Sequence, residues 1–204
     1  GAIQPKFKAK PIQRAERFLL GELTSPKGIV MGDYDFLAKA LESDYDTVEI
    51  LKWDGKLFKV RDIEPAIKSL VVLLVKYQDK EVDLIAVSLG GFIVQEALLR
   101  NPSLKVNKLL YLGAVHKGNP NLKNVRQAFN IFSIVDKMFF LANNLYEGIG
   151  NAFLRGQNVV NIPLPNVNHD ELCKNKTLGT GYLKNKSLFE LYKGILNGTP
   201  IFLK

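Results

Sequence analysis

One serine of this chain stands where a nucleophile would be useful. Ser88 closes the apolar run Val82-Asp83-Leu84-Ile85-Ala86-Val87, and Leu89-Gly90-Gly91 follows at once. Apolar residues then switch to helical spacing at Phe92, Ile93, Ala97 and Leu98, with Gln95, Glu96 and Arg100 polar. The pattern predicts a strand, an abrupt turn and a helix. Such a turn lifts the hydroxyl clear of the sheet. Small residues at Ala86 and Gly90 let the backbone bend, Gly91 lets the helix approach closely, and the helix N-terminus favours negative charge nearby.

A serine hydroxyl at neutral pH attacks poorly unless a base takes its proton and a third group holds that base in the right tautomer. The chain has two histidines. His116 lies in Gly113-Ala114-Val115-His116-Lys117-Gly118, and His169 in Asn166-Val167-Asn168-His169-Asp170. Among the acids, Asp136 ends the apolar run Phe129-Asn130-Ile131-Phe132-Ser133-Ile134-Val135. Asp170 is a second candidate to orient the base, although adjacent side chains usually point apart.

Ala86-x-Ser88-x-Gly90 resembles the nucleophile elbow of the α/β-hydrolase superfamily, and of its lipase and serine-esterase branch in particular, with alanine for the first glycine. The resemblance implies the order nucleophile, acid, histidine, and so assigns Ser88, Asp136 and His169 as the catalytic residues. Asp136-Lys137-Met138 after Ser133 resembles the acid-bearing segment of lipases, and Asn168-His169 resembles their histidine loop. Val115-His116-Lys117-Gly118 resembles their proline-histidine-x-glycine stretch, with valine for proline, and there the histidine is structural. The four matched segments cover about half the chain in the family's order.

An acyl transfer also needs donors for the developing oxyanion. One is the N–H of Leu89 at the head of the helix, and the other is expected from the Gly32-Asp33 loop after Met31. Lipases usually carry His-Gly there. A carboxylate beside the oxyanion opposes it unless Asp33 turns away to cap the next helix. Tyr34 and Trp53 stand near strand ends where a substrate pocket would open. Phe139 belongs to an apolar stripe (Met138 to Leu141, Leu145, Tyr146, Ile149, Phe153, Leu154) that fits either an acyl-binding wall or a helix docked on the sheet.

These residues need a scaffold of alternating strands and helices. Strands are expected at 28–31, 47–53, 82–88, 108–113, 129–135 and 158–162. Helices are expected from Phe36 through Leu41, from Ile63 to Tyr77, after Ser88, and from Ser187 to Leu196. Alternation of this kind implies βαβ units. The fold class is therefore α/β, an α/β-hydrolase fold by resemblance, with a mainly parallel sheet of about six strands flanked by helices on both faces. In that fold Gly32 and Ser88 would end strands on either side of a reversal in strand order, where open sheets bind ligands.

The 204 residues, 47% hydrophobic and 24% charged, suit one globular domain spanning 1–204, with a basic, weakly patterned segment at 1–25. No apolar run approaches the roughly 20 residues of a membrane span. The opening Gly1-Ala2-Ile3-Gln4-Pro5-Lys6 has no signal-peptide core, and the single Cys173 excludes an internal disulfide and fits a reducing compartment. A cytoplasmic protein is the expectation, with a processed secreted form left open. Lysine and arginine crowd both ends of a chain carrying a net charge of +8, which gives a weak attraction to anionic surfaces. No zinc pattern, aromatic ribonucleoprotein motif or basic recognition helix points to nucleic acid. The expected partner is a small-molecule or lipid ester, cleaved through an acyl-enzyme without metal or organic cofactor. A thioesterase or acyltransferase on the same residues, or a hydrolase-fold protein that binds without turnover, are the competing readings. The number of subunits is not legible.

Overall fold

The computed structural model describes residues 34–51, 63–116, 122–136, 153–179 and 183–199. They form an α/β fold around a parallel sheet of four strands: β1 (Asp83–Val87), β2 (Val106–Leu112), β3 (Val125–Ser133) and β4 (Val159–Leu164). The strands lie side by side in chain order. Their carboxyl ends, Val87, Leu112, Ser133 and Leu164, therefore share one rim.

Period-two alternation sends successive side chains to opposite faces. Ala86, Leu109, Tyr111 and Ala128 pack against α2 (Glu64–Lys76) and α3 (Gly90–Arg100). Leu110, Leu112, Ile131, Ile162 and Leu164 pack on the other side with α1 (Tyr34–Leu41) and α4 (Leu188–Leu196). Because helices cover both faces, β2 reads as an almost continuous apolar run, and Leu109 to Leu112 are all wholly buried. Burying each such leucine is worth about 1.5–3 kcal/mol.

Helix ends follow local chemistry. Pro65 and Glu64 open α2, where a missing N–H costs nothing and a carboxylate complements the dipole. Ser187 caps α4: its hydroxyl accepts from Glu190 N at 3.1 Å, and Glu190 Oε2 accepts from Ser187 N at 2.7 Å.

The described sheet has four strands rather than six. The strand expected at 28–31 lies outside the described residues, as do Lys52 and Trp53. Thr47 to Leu51 are described and form no strand. Their alternation is that of a strand, but side chains tie the segment down instead: Tyr45 Oη donates to Asp83 Oδ2 at 2.7 Å, and Glu49 accepts from Lys76 Nζ at 2.7 Å and from the Tyr77 hydroxyl. β3 begins four residues before the expected start, where exposed Arg126 and Gln127 break the apolar pattern, and it stops at Ser133. Ile134 and Val135 are apolar yet 75% and 43% exposed, because Asp136 N donates to Ser133 O at 3.1 Å and closes a turn. The strand-order reversal beside Gly32 also lies outside the described residues.

Candidate active site

Ser88 sits one residue beyond β1 and two before α3. Its φ of +52° places a non-glycine residue in the left-handed region, a conformation costing about 1–2 kcal/mol. Three backbone hydrogen bonds hold it there. Ser88 N donates to Leu112 O (3.2 Å), and Ser88 O accepts from Val115 N (2.9 Å) and Gly91 N (3.1 Å). The residue is fully buried, and its hydroxyl has no hydrogen-bond partner among the described residues. Orphaned buried hydroxyls are uncommon, as is a strained serine, and the two coincide here.

The glycines after Ser88 divide the work unequally. A Cβ on Gly91 would come within 2.6 Å of Ala114 Cβ and 2.8 Å of Val115 O, so the helix can approach the loop after β2 only because this side chain is missing. A Cβ on Gly90 would meet nothing within 4 Å. Close approach thus rests on Gly91 and not on the Gly90 of the sequence pattern. Leu89 N, at the head of α3, donates to no group among the described residues. That leaves it able to receive negative charge.

Asp136 and His169 meet on the same rim. The turn at Ser133 carries Asp136 three residues past β3, and His169 opens a single 3₁₀ turn (His169–Glu171) five residues past β4. His169 Nδ1 lies 2.5 Å from Asp136 Oδ2, a short hydrogen bond between nearly dry partners: the side chains are 6% and 0% exposed. A carboxylate only accepts, so the ring donates from Nδ1, and in a neutral imidazole Nε2 is then the acceptor.

Gly113, which no sequence argument singled out, joins the two halves. It follows β2 with φ +52°, and its N–H donates to Ile131 O at 2.9 Å. A Cβ there would lie 3.1 Å from His169 Nδ1, 3.2 Å from its Cε1 and 2.5 Å from Leu172 Cδ1. The imidazole edge therefore rests against Gly113. The adjacent rung of the parallel pair, Val87 beside Leu112, leads directly into Ser88. Ser88 thus follows the rung that ends at Leu112, and the imidazole rests on the next residue, Gly113.

The other candidates fall elsewhere. His116 is buried with its ring centroid 6.3 Å from that of Tyr111, on the α2–α3 side, and Asp136 bonds His169. Burial also drives the Tyr111 phenol above its ordinary range, so it stays neutral. Asp170 is exposed and pairs with Lys174 at 3.0 Å, which removes it as an orienter. Tyr34 begins α1. Gly32, Asp33, Trp53 and Phe139 lie outside the described residues, as does most of the apolar stripe. Of the remainder, Leu154 is buried, while Phe153 is 54% exposed and packs edge-on against Phe132 at 4.8 Å. Cys173 is a buried core thiol. Among the described residues no group of three acidic, histidine or cysteine side chains could hold a metal, and no helix is long and apolar enough to cross a membrane. Clefts at the opposite, amino ends of the strands are lined by Lys105, Lys123 and Arg126, with Glu81 4.0 Å from Arg126.

No family model matches the sequence, and no curated protein does. Among solved structures, the chain is similar to a protein of unknown function from Agrobacterium tumefaciens, provisionally described as an α/β hydrolase. The identity is 14%, the TM-score is 0.42, and the likeness covers 79% of this chain and 76% of that one. A likeness at that level assigns neither family nor activity to this chain.

Proposed function

We propose that the chain is a serine hydrolase of the α/β-hydrolase type, cleaving a carboxylic ester through an acyl-enzyme. The observation that carries this reading is the coincidence at one rim: past β1 a strained, buried serine whose hydroxyl has no partner among the described residues, and past β4 a histidine bonded at 2.5 Å to a buried carboxylate.

In this reading Ser88 Oγ attacks the ester carbonyl carbon while His169 Nε2 takes its proton. Asp136 holds the ring and balances the imidazolium that forms. The tetrahedral oxyanion takes up the N–H of Leu89, with the Gly32-Asp33 loop as second donor. Collapse expels the alcohol, which leaves with the proton from Nε2. A water then attacks the acyl-enzyme by the same route and releases the acid. Removing one oxyanion donor in such a site costs about 3–4 kcal/mol of transition-state stabilisation, so the second donor decides turnover. A thiol ester, or an acceptor other than water, would use the same residues. No cofactor enters the scheme.

The complete burial of Ser88 favours a second reading, a hydrolase-fold protein that binds without turnover. Stopped-flow hydrolysis of nitrophenyl esters of increasing acyl length separates the two. A burst of nitrophenol matching the enzyme concentration, absent in Ser88→Ala, supports the acyl-enzyme. Equal rates from wild type and Ser88→Ala across the series would overturn it.

A further inference from the structure

His169 begins a helical turn of only three residues, too short to hold itself in place. Its position must come from groups that pin both ends. One side chain reaches both. Glu171 Oε2 accepts from Asn168 N at 2.7 Å, immediately before the histidine, and the same oxygen meets Lys176 Nζ at 2.7 Å, five residues after Glu171 itself. Lys176 Nζ also donates to Asn166 O at 3.3 Å, and Asn166 holds a φ of +52°. Asn168, Glu171, Lys176 and Asn166 thus form a chain of polar contacts that the backbone from Asn166 to Asn168 closes beside the histidine. From below, Leu172 is fully buried against Gly113, and its carbonyl accepts from the buried Tyr192 hydroxyl at 2.6 Å.

We propose that Glu171 is a positioning residue: its carboxylate, shared between the Asn168 N–H and Lys176, sets where the His169 ring stands relative to Asp136 and Ser88. The proposal rests on the reading of Ser88, His169 and Asp136 given above, and extends it to a residue that touches neither substrate nor reacting atoms. The anchor is graded. The carboxylate is only partly exposed, at 24%, and is held below the usual carboxylate range first by Lys176 and then by the Asn168 N–H, against its burial and the lesser opposing charge of Asp170. A neutral amide at 171 keeps an oxygen for the Asn168 N–H and loses the charge shared with Lys176. Alanine loses both.

The test compares wild type, Glu171→Ala, Glu171→Gln and Lys176→Ala by two readouts. One is the downfield NMR resonance of the proton between His169 and Asp136, which requires no turnover. The other is the rate of Ser88 labelling by a fluorophosphonate. In Glu171→Ala we expect the resonance to broaden or vanish and labelling to slow by roughly 10- to 100-fold, the scale of a sub-ångström to 1 Å misplacement. KM for a nitrophenyl ester should stay unchanged while kcat falls. Glu171→Gln should restore most of the rate, and Lys176→Ala should fall between. A Glu171→Ala protein with the wild-type resonance and labelling rate overturns the proposal. Should that variant fail to fold, Glu171→Gln combined with Lys176→Ala replaces it, and an unaltered resonance and rate there overturn the proposal equally. A wild-type resonance without any labelling would sink the hydrolase reading alone, and the loss of that resonance in Glu171→Ala would still establish the positioning role.

Discussion

Replacing Gly113 with alanine perturbs the contact between the serine and histidine halves of the rim without touching either side chain's chemistry. At φ +52° a Cβ costs about 1–2 kcal/mol by itself. The new methyl would stand 2.5 Å from Leu172 Cδ1, and because Leu172 is fully buried its side chain has little room to retreat. Overpacking of this kind adds about 1–3 kcal/mol. The expected loss of stability is therefore about 2–5 kcal/mol, or a fall in melting temperature of roughly 4–20 °C for a chain of this size. The methyl would also stand 3.1 Å from His169 Nδ1 and 3.2 Å from Cε1, so the ring must shift by a few tenths of an ångström away from Gly113. Urea titration followed by circular dichroism gives the first quantity, and the second-order rate of fluorophosphonate labelling gives the second. At a temperature where the variant remains folded, labelling should be slower by about 10-fold or more. A variant with wild-type stability and wild-type labelling would refute the reasoning that Gly113 carries the imidazole.

Gly91→Ala should cost about 2–3 kcal/mol in urea titrations, because its methyl would meet Ala114 Cβ and a backbone oxygen that cannot swing aside; Gly90→Ala, with open space around it, should be neutral within about 0.5 kcal/mol. Asp136→Asn should lower kcat by about 10³- to 10⁴-fold with KM little changed, since an amide no longer fixes the proton on Nδ1; equal kcat values would remove Asp136 from the scheme. The Glu190 carboxyl is held below its ordinary range by the backbone N–H and hydroxyl of Ser187. A depressed folded-state pKa gives stability that is present above the unfolded value, about 4.3, and lost as pH falls through the folded value. Wild type should therefore melt above Glu190→Gln at neutral pH, and the gap should close on acidification below about pH 4; a gap that widens in acid contradicts the cap.

The turn at Ser88 was legible because three signals agreed there: a β-branched run, a pair of glycines and an immediate change of apolar period. The ends of β3 were not. Arg126 and Gln127 are polar because they sit at the solvent end of the strand, and Ile134 and Val135 are apolar although they occupy an exposed turn, so composition misplaced both boundaries. The segment from Thr47 to Leu51 shows a deeper limit. Its alternation satisfied a strand, yet Tyr45 and Glu49 bond to groups on β1 and at the end of α2, a choice set by distant residues. At the candidate site, chain order and position beyond apolar strands singled out Asp136 and His169, which the structure places in contact. Gly113 and Tyr192 gave no local sign, since each matters only through what packs against it. Glu171 did leave one: an Asn-x-x-Glu spacing before a short turn is a capping signature, hidden because the stretch read as an open loop.

The central claim is that Ser88 is an activated nucleophile. Mass spectrometry of the chain after exposure to a fluorophosphonate measures this directly, because an ordinary serine hydroxyl reacts too slowly to label. The account predicts one adduct, on the peptide containing Ser88, abolished in Ser88→Ala and strongly slowed in His169→Ala. An unlabelled wild-type protein, or an adduct on Ser88 that forms as fast without His169, would contradict it.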